Sequence, residues 1–180
     1  MVGSWRPYRR ATITLPVETE GRDTRVTARP DWRDPVQFVA CGFGAGGVRY
    51  APGTFGTVAA IPLFLLLQLL PPLIYLVVVG LLFLIGIPIC GYTARQLGVH
   101  DHAGIVWDEI VGYLVTMSMA PAGWLWVLLG FVLFRLFDIL KPWPIRWVDR
   151  RVAGGFGIML DDLIAGGMGW GLLQLSAAWA

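Results

Sequence analysis

Charged side chains are scarce in this chain: Asp, Glu, Lys and Arg make up 14% of its 180 residues, against roughly 25% in an average soluble domain. With 56% hydrophobic residues beside them, the composition is that of an integral membrane protein. Cysteine is almost absent. Cys41 and Cys90 provide no disulfide framework and lack the CxxC spacing of a redox or zinc site. Cys90 and Arg95 stand one residue too close for a C-x5-R phosphatase loop, which removes that thiol as a nucleophile. The two histidines, His100 and His102, are spaced i,i+2 on a polar connector. That is not a helix-face pair, and no third nitrogen ligand is in view. No lysine follows the Gly42–Gly47 run to complete a Walker pattern, so the run reads as a flexible loop. The net charge is +2, and the basic residues form no stripe, which argues against a nucleic-acid partner. Residues 1–36 hold no apolar run long enough for a signal-peptide h-region. They are expected to form a polar, partly disordered arm ahead of a membrane-embedded domain at 37–180.

What is present is a set of apolar segments at about 54–70, 72–94, 105–120, 122–140 and 157–179, punctuated by proline and polar stretches. A bilayer span needs about 20 apolar residues, with a range of about 17–25. The second, fourth and fifth segments meet that length, and the first and third are borderline. The fold class expected is therefore all-α: a membrane bundle of four to five apolar helices with a glycine-rich loop. Trp124, Trp143, Trp147 and Trp170 near segment ends suit interfacial anchoring. Gly166, Gly167 and Gly169 suit close helix packing.

Threading the five segments up and down brings Thr54, Arg95, Asp108, Glu109, Arg135, Asp138, Lys141, Asp161 and Asp162 to one face. The opposite connections, Leu70-Pro71-Pro72 and Ala120-Pro121-Ala122-Gly123, carry no charge. The positive-inside rule makes the charged face cytoplasmic. Carboxylates gathered in this way need cations among them. Oxygen-only ligation favours a hard ion, and Mg2+ suits a few carboxylates with water and phosphate. Neighbouring residues on a helix point about 100° apart, so each acid pair is expected to supply one direct ligand and one accessory group. Arg135, Lys141 and Arg146 could hold phosphate oxygens. The Gly53-Thr54-Phe55-Gly56-Thr57 turn would offer backbone N–H groups at a helix start. Arg150 and Arg151 read as headgroup-contacting residues, each contributing about 1 kcal/mol near an anionic surface. Together the residues point to metal-assisted phosphoryl chemistry on a phosphorylated membrane lipid.

Four ordered motifs then carry a resemblance. Pro52-Gly53-Thr54-Phe55-Gly56-Thr57, Asp101-His102-Ala103-Gly104-Ile105-Val106-Trp107-Asp108-Glu109, the Phe134–Arg146 stretch FRLFDILKPWPIR, and Gly155-Phe156-Gly157-Ile158-Met159-Leu160-Asp161-Asp162 resemble bacterial phosphatidylglycerophosphatase A over about residues 38–178. The resemblance implies a Mg2+-dependent lipid phosphatase of the bacterial inner membrane, multi-pass, with its site on the cytoplasmic face. It removes the terminal phosphate of phosphatidylglycerophosphate in phospholipid biosynthesis. Carried to this chain, it implies Asp108, Glu109, Asp138, Arg135 and Lys141 as catalytic, and Gly53, Thr54, Thr57, Asp101 and Arg146 as phosphate-binding. Asp108, Glu109, Asp161 and Asp162 are implied as the metal group. Water attack with a carboxylate base and attack by an aspartate are both open at this stage, and the sequence is silent on oligomeric state.

Rival classes make different demands. A transporter or ion pathway would distribute charge through the membrane depth. A lipid phosphotransferase of the nucleotide-activated type would carry D-G-x2-A-R…G-x3-D-x3-D, which is absent. A scaffold has no use for the acid pairs. Singly, Arg135 and Asp138 could be an i,i+3 structural pair, and the acid pairs could serve the helix dipole.

Overall fold

The computed structural model describes residues 29–99 and 102–179. Among these residues the fold is helical throughout and contains no strand. In chain order the helices are α1 (Pro35–Ala40), α2 (Pro52–Leu67), α3 (Pro72–Leu97), α4 (Trp107–Thr116), α5 (Trp124–Leu140), α6 (Ile145–Arg151) and α7 (Gly154–Ala178), with a 3-10 segment at Gly42–Gly47.

Local chemistry sets most of these boundaries. Pro52 and Pro72 open α2 and α3, where the missing N–H costs nothing and the ring presets φ. Gly98 closes α3 in the left-handed conformation, φ +68°. Asp34 caps α1, accepting hydrogen bonds from the amides of Val36 and Gln37, and its carboxylate also accepts from the Tyr92 hydroxyl at 2.9 Å. The arm boundary expected at residue 36 thus falls inside α1, because the capping residue itself is tied to α3. Thr54 does not cap α2. The N-cap is Ala51, in the left-handed region at φ +49°.

The centre of the bundle is α4, packed among α2, α3, α5 and α7. Ten residues give a helix of about 15 Å, half a bilayer core. The third apolar segment is accordingly a buried core helix. It begins where Val106 N–H is held by the Ala40 carbonyl at 3.0 Å, and it ends before Met119, whose φ of +55° turns the chain. Tyr113, Leu114, Val111 and Met117 are almost fully buried there, with Phe134 of α5 and Leu173 of α7. Close approach to α7 depends on small residues. A Cβ on Gly166 would strike the Gly112 carbonyl, and one on Gly169 would meet the Thr116 hydroxyl at 3.0 Å, whereas Gly167 has open space around it.

Two helices, α3 and α7, are long and apolar enough to cross a membrane. Only 22% of the most apolar window of α3 is buried inside the protein, so Leu73, Ile74, Leu81, Leu84 and Ile85 present an uncovered apolar surface. α5, at 17 residues, and α2, at 16, are shorter, and Trp124, Leu125, Leu128 and Val132 of α5 are exposed as well. The bundle of four to five spanning helices expected from the sequence therefore reduces to two helices of full length, with α4 enclosed among its neighbours.

Candidate active site

The charged residues converge at one end of the bundle, where α2 begins, α5 ends and α4 and α7 begin. Asp108 and Glu109 stand in the first turn of α4, and Asp162 comes to them from the third turn of α7. One ligand oxygen from each of these three lies within 4.8 Å of the others. Asp108 and Asp162 are buried and Glu109 nearly so. Glu109 Oε2 and Asp162 Oδ2 are buried without a hydrogen-bond partner. Buried carboxylate oxygens left unmatched are costly, and a hard divalent cation seated among the three carboxylates would satisfy these two. The donor set fits Mg2+.

Arg135 forms the adjoining wall. Its Nη1 is hydrogen-bonded to Asp138 Oδ2 and lies 3.9 Å from Glu109 Oε1, while its Nε is buried and unpaired. Gly53 fits against both partners, since a Cβ there would run into the Glu109 carboxylate and sit 3.0 Å from Arg135 Nη1. The glycine of the α2 turn is thus a packing requirement of the site.

Asp161 faces elsewhere. Its Oδ2 accepts from Lys141 Nζ at 2.6 Å, and the same ammonium donates to Asp149 Oδ1 at 2.7 Å. Lys141 follows α5 in the left-handed region, φ +41°, a conformation that costs a non-glycine residue about 1 kcal/mol or more and recurs at functional sites. Burial pulls its pKa down, but the hydrogen bonds and charges of Asp149 and Asp161 outweigh that and hold it above the ordinary lysine range.

The residues expected to act divide as follows. Asp108, Glu109, Asp162, Arg135, Asp138 and Gly53 form one group. Lys141 and Asp161 join through their ion pair, so Asp161 lies outside the three-carboxylate set. Thr57 is fully buried, and its hydroxyl donates to the Gly53 carbonyl at 2.9 Å, which leaves it a structural part in the turn. Thr54 is half-buried at the same turn. Arg146 is exposed on α6 and lines a separate cavity with Lys141. Asp101 lies outside the described residues, as does His100. The ring Nδ1 of His102 accepts from Gly104 N–H at 3.0 Å, a loop contact. The Gly42–Gly47 segment packs on Gly104 and Val106, so it walls the start of α4.

Two residues near the site carried no signal in the sequence. Asp149 sits among the basic residues of α6 and looks like a solvated charge, yet it is the second acceptor of Lys141. Cys41 lies close enough to Asp108 to feel its charge. Burial first, and then that carboxylate, pushes its thiol up to about 11, so it stays protonated and inert at neutral pH.

A helical membrane-type bundle with a buried acid triad, a clamped arginine and a caged lysine at one end is suited to phosphoryl chemistry beside a bilayer. The family model for Phosphatidylglycerophosphatase A matches residues 38–177. Over 141 residues the chain is 49% identical to the Phosphatidylglycerophosphatase A of Escherichia coli (strain K12), covering 78% of this chain and 82% of that one. The identity is 47% over 134 residues, 73% and 82% of the two chains, to the protein of the same name from Haemophilus influenzae. A Bacteroides thetaiotaomicron protein, provisionally named a phosphatidylinositol-3-phosphatase, is 33% identical over 135 residues, 71% and 84% of the chains. No solved structure matches. The chain belongs to the phosphatidylglycerophosphatase A family, and with it to the lipid phosphatases.

Proposed function

We propose that this enzyme hydrolyses the terminal phosphate of phosphatidylglycerophosphate to give phosphatidylglycerol and inorganic phosphate in phospholipid biosynthesis, with Mg2+ held by Asp108, Glu109 and Asp162. The observation that carries this reading is the convergence of those three carboxylates, two of their buried oxygens unpaired, against Arg135. The chemistry that Mg2+ supplies when bound is polarisation of the phosphoryl group and a lowered pKa for water. The chain does the rest. Arg135, fixed through Nη1 by Asp138 and Glu109, has its Nε side free for a phosphoryl oxygen. Glu109 Oε1, the oxygen on the Arg135 side of the carboxylate, takes the proton of the attacking water. As water oxygen bonds to phosphorus, the ester P–O bond breaks, and the departing glycerol oxygen takes a proton from solvent to leave as a hydroxyl, while Glu109 later returns its own proton to solvent. Lys141, kept cationic by Asp149 and Asp161, adds positive charge beside the transferring group.

The setting proposed with it is the cytoplasmic face of the inner membrane: Lys141, Arg146, Arg150 and Arg151 line one cavity at the site end and Arg95 lines another beside Gly154, and the positive-inside rule supports that orientation. α3 and α7 cross, the shorter α2 and α5 lie beside them around α4, and the lipid substrate presents its headgroup from the bilayer. A charge cluster confined to one end does not make a transport path.

Phosphate release from phosphatidylglycerophosphate by the purified full chain, with EDTA and then with Mg2+ restored, tests the proposal. EDTA is expected to abolish release and Mg2+ to recover it; release indifferent to EDTA, or none at all, would overturn it. Acid-quenched turnover that trapped a covalent phosphoenzyme would overturn the water-attack step.

A further inference from the structure

Beside the carboxylate group, but not part of it, lies an open cavity of about 450 Å³ lined by Lys141, Trp143, Arg146, Trp147, Arg150 and Arg151. Four of these side chains are cationic and none of the lining residues is acidic. The cavity is a consequence of how α6 sits. At about 100° per residue, positions 146, 147, 150 and 151 share one face of this seven-residue helix, while Ile145 and Val148 are buried on the other. Among the described residues Arg146, Arg150 and Arg151 form no ion pair; Arg146 Nη2 donates to the Leu140 carbonyl at 3.4 Å, and the Arg151 guanidinium lies 4.9 Å from the Trp147 ring centroid. Trp143 and Trp147 are exposed, as aromatic side chains at headgroup depth commonly are.

Lys141 joins this cavity to the reaction centre. It lines the cavity, and its ammonium is 2.6 Å from Asp161, whose neighbour Asp162 belongs to the carboxylate triad. Two anion-attracting places therefore adjoin across a single residue. A phosphatidylglycerophosphate headgroup has two phosphates, a terminal monoester and the diester that carries the diacylglycerol, separated by one glycerol. Resting on the function proposed above, we infer that the α6 cavity is the subsite for the substrate's diester phosphate. It holds the non-reacting phosphate while the monoester lies at Arg135 and the carboxylates. Arginines suit this task, since their planar donors match phosphate oxygens, and binding a remote charged group is a means of selecting and aligning a substrate. A lipid with one phosphate engages one of the two places, so the cavity selects for the doubly phosphorylated headgroup.

The test uses the double variant R150Q/R151Q of the full chain, assayed in neutral phosphatidylcholine vesicles so that bulk lipid charge contributes nothing. Three quantities are read: KM and kcat for phosphatidylglycerophosphate, inhibition by short-chain phosphatidylglycerol, which has the diester alone, and inhibition by inorganic phosphate, which occupies the monoester place. KM and the inhibition constant for phosphatidylglycerol are each expected to rise about tenfold or more, as loss of charge-assisted hydrogen bonds implies. kcat and the constant for inorganic phosphate should stay within about twofold, which also shows that the variant is folded. Restoring charge with R150K/R151K should recover part of the loss. If both inhibition constants rise together, or none of the quantities moves, or phosphatidylglycerol does not inhibit the wild type, the subsite assignment is overturned. A defect seen only after anionic lipid is added to the vesicles would overturn it in favour of general surface attraction. Absence of phosphate release by the wild type strikes the proposed function instead, and the subsite falls with it.

Discussion

At one end of the bundle Asp108, Glu109, Asp138, Asp149, Asp161 and Asp162 are packed with Arg135 and Lys141. At the other end the polar contacts are neutral. Tyr75 OH donates to the Leu114 carbonyl at 2.6 Å, and Trp170 Nε1 and Gln174 Nε2 each donate to the Ser118 carbonyl at 3.0 Å. Both ends bury polar atoms, but the neutral end matches donors to the carbonyls that close α4, as any helix terminus requires. The charged end leaves Glu109 Oε2, Asp162 Oδ2 and Arg135 Nε unmatched. Among the described residues, the Thr93 hydroxyl aside, the unpaired buried side-chain atoms all belong to this charged group, which is where a ligand would satisfy them. The two ends thus differ in what they leave open: hydrogen bonding is completed at the neutral end, and the charged end keeps atoms available to a ligand.

Substitutions can separate the two. Asp162→Asn is expected to lower kcat on the order of 10³-fold. The same change removes one of three crowded negative charges, so in EDTA its thermal midpoint should be equal to or above that of the wild type. A large fall in midpoint would mean that the acid is structural. Mg2+ at about 100 times its dissociation constant should stabilise the wild type by about 2.7 kcal/mol and the variant by far less, read as a shift in chemical denaturation.

Lys141→Met should cost about 10²-fold in kcat, by leaving Asp149 and Asp161 facing one another without their cation. Asp149→Asn, which spares the closer partner, should cost only about three- to tenfold, since one acceptor remains to aim the lysine. Equal losses from the two would deny the bridge any graded role. At the neutral end Tyr75→Phe leaves the buried Leu114 carbonyl with only the longer Ser118 hydroxyl contact at 3.3 Å and should destabilise by about 1 kcal/mol, while kcat stays within about twofold. A kcat loss there would show that the ends are coupled.

The smallest effect belongs to Asp34. Desolvation would raise its pKa, but hydrogen bonds from Tyr92 and the Val36 and Gln37 amides outweigh it and hold the carboxyl below its usual range. A depressed carboxyl adds stability above its unfolded pKa that is lost as pH falls through the folded value. Asp34→Asn keeps a capping oxygen but not the charge, so it should flatten the acid limb of the melting curve by slightly lowering neutral-pH stability toward the acid value.

Much of this was legible before any coordinates. Prolines 52 and 72 and the unbroken apolar runs announced α2 and α3, and the threading of charges placed Arg135, Lys141 and the acid pairs at one end. The reading failed where local pattern has no access to partners. Segment 105–120 is apolar enough to pass for a borderline span, but its helix is ten residues long and enclosed. The 142–157 connector hides α6, whose buried face amounts to Ile145 and Val148. Thr57 has the composition of a phosphate turn, yet its hydroxyl is spent on the carbonyl four residues back.

By itself the sequence determined the helical class, the apolar exterior and the inventory of acids and bases on one face, because these depend on composition, on breaker residues and on the parity of the crossings. Tertiary structure alone decided how that inventory is divided. Asp161 and Asp162 are neighbours in the chain, and a helix turns them about 100° apart. Which of the two meets Lys141 and which joins Asp108 and Glu109 depends on how α7 is rotated against α4. That rotation is set by Gly166 against Gly112 and Gly169 against Thr116, contacts between residues more than 50 positions apart.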